Sequence, residues 1–333
     1  MSTIKSRIKK ARPYSGNRFQ PLTCRAEREF FELTGTPIAD VEKSTSIKAP
    51  ANTNRKLVTA GMGMLSVIIF ALIAVIASPA PMAAFAATPH PLQFSPLVIT
   101  SQDLLTSLAA LANNSTPLIL TDRIRVQTWS LAITDYGDQS ELVGTIVPEQ
   151  YDIKLNPDGS LATEVRAGRP IDPAGNLILG AVAVPPAGTL LWRETFPADR
   201  NLFSGPFPTI VHDVELFLQQ GMLQDTEPNS ASYLRAIVQL MMARNLSLTE
   251  TATILEFLAA LPDVQVAGLV NDRLGRQGVA ISASQVLYGN EVTEYLIFSP
   301  INGQIIAAET VHKNGLIPGQ IGPIVTEYYA WER

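Results

Sequence analysis

Apolar and polar positions alternate with different periods along the chain, and each change of period marks an element. Leu57 to Ala77 is apolar almost throughout, and no Asp, Glu, Lys or Arg occurs from Leu57 to Gln102. As a helix, the 21 residues of 57–77 reach about 31 Å, enough to cross a hydrocarbon core of about 30 Å. The pattern therefore predicts one transmembrane helix there. Pro79, Pro81, Pro89, Pro91 and Pro96 make 78–99 an extended stalk, because proline cannot continue a helix.

Helical spacing begins at Ser101. Leu104, Leu105, Leu108, Leu111 and Ala112 share a side, and Thr100-x-x-Asp103 forms a capping-box-like start, which predicts a helix to Asn113. From Arg123 the period drops to two. Ile124, Val126 and Thr128 face one way; Arg125, Gln127, Trp129 and Leu131 face the other. Further strands are expected at 141–147, 149–155, 160–167, 177–184 and 189–194, with Asn156-Pro157-Asp158-Gly159 as a hairpin turn.

Helical spacing returns in the middle, over 209–220, 230–245 and from Ser247-x-x-Glu250 to Leu261, where Pro262 stops it. Strands follow at 264–271, 277–283, 291–299, 304–312 and 326–331. Strands, helices, then strands again imply an α+β domain over 100–333: a curved antiparallel sheet with helices packed on one face.

Charge assigns the sides of the membrane. Residues 1–56 hold 12 Lys/Arg against 5 acids, and the remainder holds 13 basic and 25 acidic residues. Positive flanks stay inside, so the basic, mostly disordered head is expected in the cytoplasm and the body outside, in a single-pass cell-membrane protein. A cleaved secretory signal is the competing reading, because Ala84-Phe85-Ala86 has the small-x-small form of a cleavage site. The lone cysteine, Cys24, lies in the head, so the body contains no disulfide and rests on its core. The head contacts anionic headgroups or docks a cytoplasmic regulator such as a sigma factor. No nucleic-acid partner is expected.

The phrases Leu258 to Val264, Asp272 to Ala280, Leu296 to Gly303 and Thr88 to Leu92 resemble a family of uncharacterised actinobacterial single-pass membrane proteins. The head does not share the resemblance. It implies an extracytoplasmic domain similar to lipoprotein-carrier (LolA-like) half-barrels, in which helices plug a curved sheet. Related folds carry lipidated cargo or sense envelope state for sigma-factor regulators, and no catalytic residues carry over.

Motifs for chemistry are sparse. His90, His212 and His312 are far apart in sequence, and neither H-x-x-x-H, C-x-x-C, a phosphate-cradling loop nor G-x-S-x-G occurs. No catalytic residue, metal site or cofactor is expected. His212-Asp213 reads as polar residues at a helix start, Asp225 and Glu227 as solvated or capping groups, and Asp272, Arg273 and Arg276 as a turn held by local hydrogen bonds. A binding module is the favoured function, for a lipid, a lipoprotein or an envelope partner. Its apolar lining is expected from Trp129, Leu131, Tyr151, Ile153, Trp192, Phe217, Leu234, Met241 and Met242, residues that would equally fill a solid core. The alternative is a cell-envelope hydrolase or transferase, which a polar cleft holding His212 beside a carboxylate and a hydroxyl would favour.

Overall fold

The computed structural model describes residues 56–58, 89–135 except 118, 142–168, 185–222, and 227–332 except 288 and 317–320. Of the expected membrane span, only Leu57 and Val58 fall within these. With Lys56 they form strand β1 (Lys56–Val58), paired antiparallel with Ile133–Asp135, so those two residues are extended rather than helical. The rest of that span, the head, the cleavage-like Ala84-Phe85-Ala86 and the expected strand at 177–184 lie outside the described residues. No described helix is long and apolar enough to cross a membrane.

The α+β reading holds. Nine strands make one antiparallel sheet: β2 (Arg123–Asp135), β3 (Leu142–Leu155), β4 (Leu161–Ala167), β5 (Leu190–Phe196), β6 (Gln265–Asn271), β7 (Gln277–Leu287), β8 (Asn290–Phe298), β9 (Ile305–His312) and β10 (Ile324–Trp331). Their order across the sheet is β5-β4-β3-β2-β10-β9-β8-β7-β6. The last strand therefore sits near the middle, between β2 and β9, and joins the two halves.

Four helices are described: α1 (Ser101–Asn114), α2 (Val211–Gln219), α3 (Ser230–Ala243) and α4 (Leu248–Ala259). Their ends are set by short-range chemistry. The Thr100 hydroxyl accepts from the Asp103 amide, and Ser247 and Glu250 cap each other reciprocally before α4. A second reciprocal box, Asn229 with Ser232, starts α3.

One side of the sheet faces these helices. Ile124 and Val126 on β2, Tyr151 and Ile153 on β3, Val165 on β4, Ile281 on β7, Leu296 and Phe298 on β8, Ala308 on β9 and Trp331 on β10 join the helices in one hydrophobic cluster. The strand period of two puts alternate residues on that side. α3 lies on β7 and β8, while α1 packs mainly on α4 and α2 on α3 and α4.

The opposite side is also covered at β6–β9, by a strap of residues 90–95. Phe94 stacks on Tyr295 with ring centroids 4.9 Å apart, and the Leu92 amide donates to Glu309 at 3.2 Å. Ser95 exchanges two backbone hydrogen bonds with Leu269 on the edge strand β6. That approach requires glycine at 268: φ is +127°, and a Cβ there would sit 2.2 Å from the Ser95 carbonyl oxygen.

One boundary differs in an instructive way. The separate strands expected at 141–147 and 149–155 are a single strand, β3, running through Pro148. The Pro148 carbonyl accepts from the Gly168 amide, so the missing N–H faces the side where β4 has already ended at Ala167.

Leu258 on α4 is completely buried in the cluster shared by helices and sheet. Leu258→Ala should lower stability by about 2–5 kcal/mol in urea unfolding followed by circular dichroism. Leu258→Asp should leave no folded domain, because it buries an unpaired charge; a normal unfolding transition for that variant would contradict this packing.

Candidate functional site

Alternation along β3 carries Glu149, Tyr151 and Ile153 to the same, helix-facing side. Across the ladder, Tyr151 stands opposite Val165 on β4, and Val165 opposite Trp192 on β5. The Trp192 and Tyr151 rings meet edge-to-face over it, with centroids 6.1 Å apart at 84°, and Phe196 meets Trp192 in the same way. The same cluster contains Phe203 and Phe207, whose rings each meet that of Phe217 with centroids 5.4 Å apart. Arg244 steadies their loop, bonding the Gly205 carbonyl at 3.0 Å, lying over the Phe207 ring and pairing with Glu250.

At one end of the strands the helix-facing side turns polar. Register sets Ser130, Glu327, Thr310 and Glu294 in a row across β2, β10, β9 and β8. Arg235 reaches down from α3 between two of these carboxylates, 3.2 Å from Glu294 and 3.1 Å from Glu327. Thr310 donates to Glu294 at 2.6 Å. The ion pair with Glu327, more than the second one with Glu294, raises the Arg235 pKa against the opposing effect of burial. Burial nevertheless pushes the Glu294 carboxyl above the usual range. His312, on β9 beside this row, is held below the ordinary histidine range by burial, and its Nδ1 is buried without a hydrogen-bond partner.

Five carboxylates are buried among the described residues: Glu149, Asp272, Glu294, Glu309 and Glu327. Four have an arginine. Arg235 serves Glu294 and Glu327; Arg273 serves Glu309 on the strap side, over the rings of Trp129 and Tyr328; Arg276 serves Asp272. Glu149, 7% exposed, has the Tyr151 hydroxyl at 2.8 Å and no described cation within ion-pair distance. Burial, only partly offset by that hydrogen bond, pushes its carboxyl up to about 7. The Tyr151 phenol moves up as well, through burial and then the neighbouring Glu149.

The nine expected lining residues separate into two groups. Tyr151, Ile153, Phe217, Leu234, Met241 and Met242 lie in the helix-facing cluster, and Trp192 packs against it half-buried. Trp129 and Leu131 point to the other side of β2, where Trp129 meets Tyr328 and Arg273. Both sides of β2 are buried there, so apolar character alone did not indicate which one faces the helices. His212 is exposed at the start of α2 and has no described carboxylate or hydroxyl bonded to it. Asp272 does hold its turn, accepting from the Leu274 and Arg276 amides, but Arg276 also reaches the Trp331 and Ile306 carbonyls, and Arg273 the His90 carbonyl.

Sequence reading missed Glu149, Arg235, Glu294 and Glu327. The one signal was phase: each glutamate occupies a core-side position of its strand, Glu149 in step with Tyr151 and Glu294 with Leu296. No group of three or more His, Cys, Asp or Glu among the described residues is placed to hold a metal ion. Comparison with protein-family models, curated proteins and solved structures finds no match.

A raised carboxyl pKa gives pH a definite sign. Folded Glu149 titrates near 7 against an ordinary 4.5, so the folded state holds the proton more tightly. Its contribution to stability is fullest below pH 4.5 and is lost as pH rises through 7. Glu149→Gln should flatten the stability profile between pH 5 and 8, by at most roughly 3 kcal/mol. Urea midpoints of both proteins across that window check it, since Glu294 and Glu309 remain in each; parallel profiles would refute the assignment.

Proposed function

We propose that this chain is a membrane-anchored extracytoplasmic binding or sensing protein, whose domain is a half-barrel similar to lipoprotein carriers. Its ligand is a lipid or a lipidated partner held on the helix-facing side of the sheet, and its basic head reports to a cytoplasmic regulator. The observation that supports this most is the amphipathic layout of that side. An aromatic and aliphatic floor around Tyr151, Ile153, Trp192 and Phe217 ends at a buried polar row, as a guest with an apolar body and a polar head requires. The sheet is open, with β5 and β6 as separate edges. The buried indole N–H of Trp192, which has no protein acceptor, adds a donor beside this floor. A hydrolase or transferase is the weaker reading, because exposed His212 has no hydrogen bond to a carboxylate or a hydroxyl among the described residues.

Native mass spectrometry of the full chain, produced in a bacterial envelope and released from mild detergent, should show a co-purified apolar guest. A clean apo mass, with no lipid in a solvent extract, would remove the carrier reading. Topology is tested separately: a periplasmic-type phosphatase fused at Arg333 should be active and one at Ala51 inactive. The β1–β2 pair pulls the other way, since it sets Lys56 against Asp135. An active Ala51 fusion would keep that pair and overturn the anchor reading.

A further inference from the structure

Four of the five buried carboxylates in the described residues are neutralised by an arginine, and Glu149 is the exception. A carboxylate removed from water without a cation is costly, and proteins ordinarily pair it or leave it protonated. The exception stands at the polar end of the aromatic floor, so a ligand site at Glu149 rests on the binding reading and refines it. Next to Glu149 on the same side of β3 stands Tyr151. The Tyr151 phenol donates to it, and the Trp192 ring stands edge-on to Tyr151 with its own N–H buried and unpartnered. Opposite Glu149 on β4 is Ala167, the smallest side chain along that part of the strand. A carboxylate bonded to a phenol, with an indole ring packed against that phenol, supplies the two elements that recognise organic ammonium groups, a negative charge and aromatic surface.

We infer that Glu149, Tyr151 and Trp192 form the head site for an organic ammonium group carried on an apolar body. Ile153, two residues along β3, and Phe217 from α2 then continue as the floor for that body. The arrangement supplies its own proton accounting. A cation arriving beside Glu149 stabilises the carboxylate, so binding near neutral pH releases a proton that the buried carboxyl otherwise keeps. The neighbouring titratable groups are Tyr151 on the same strand and, acting on Tyr151, Tyr329 and Glu327 of β10; the cation of that group, Arg235 of α3, is paired with Glu327 and Glu294.

The test uses the full chain in a non-ionic detergent, with short, non-micellar probes followed by calorimetry and tryptophan fluorescence. Hexyltrimethylammonium should bind saturably and at least about tenfold more tightly than hexanesulfonate. Its affinity should fall about thirtyfold from pH 8 to pH 5.5, with proton release at pH 7 seen by repeating the titration in buffers of different ionisation enthalpy. Glu149→Gln should remove both the preference and the pH dependence; the wild-type pH series carries the same test if that variant does not fold. Equal binding of the two probes, or an affinity independent of pH, would overturn the inference while leaving an apolar guest seen by mass spectrometry intact. Tetramethylammonium binding as tightly as the hexyl probe would keep the cation site but refute the apolar body, and with it the lipid reading.

Discussion

Arg235 is the contact on which the layering of this domain turns. It projects from the middle of α3 and meets two glutamates that belong to different strands, β8 and β10, so one guanidinium fixes a helix to the central part of the sheet. Without it, Glu294 and Glu327 would be buried charges with no cation beside them, a situation more costly than never having placed the charges there. The tie also fixes where polar chemistry can exist. Beyond it the helix-facing side is mostly hydrocarbon and ring, with Glu149 and Thr163 as buried polar exceptions.

The same solution is applied on the other side of the sheet. Arg273 pairs with Glu309 there, and both also bind backbone groups of the strap, the arginine through the His90 carbonyl and the glutamate through the Leu92 amide. A third pair, Asp272 with Arg276, bridges the β6–β7 turn to the carbonyls of β9 and β10. Three arginines thus join sequence-distant pieces with directional contacts. Apolar burial supplies most of the driving force.

What could be read from the sequence depends on the range of the interactions involved. The starts of α1 and α4 were legible because Thr100 with Asp103 and Ser247 with Glu250 act over three residues. The Asn156–Gly159 hairpin was legible for the same reason, its turn closing through hydrogen bonds between near neighbours. The far end of β7 was not: it continues to Leu287 because β8 pairs with it, and pairing partners are absent from a local pattern. Trp129 and Leu131 stand in the expected lining because alternation tells which residues share a side but not which side meets the helices. Arg235 and Glu327 are separated by 92 residues, so their pairing had no local trace at all.

The position of β10 has a consequence for how the sheet closes. Its neighbours in the sheet are β9, just before it, and β2, about two hundred residues earlier, so β10 is the strand that joins the two halves of the sheet. Trp331, wholly buried, and the Arg276 hydrogen bond to its carbonyl belong to that closing step. Without β10 in place the sheet has a gap through its centre, and β2 and β9 each lack a partner along one side. Closing that gap means closing a loop of about two hundred residues, which puts the docking of β10 late in folding.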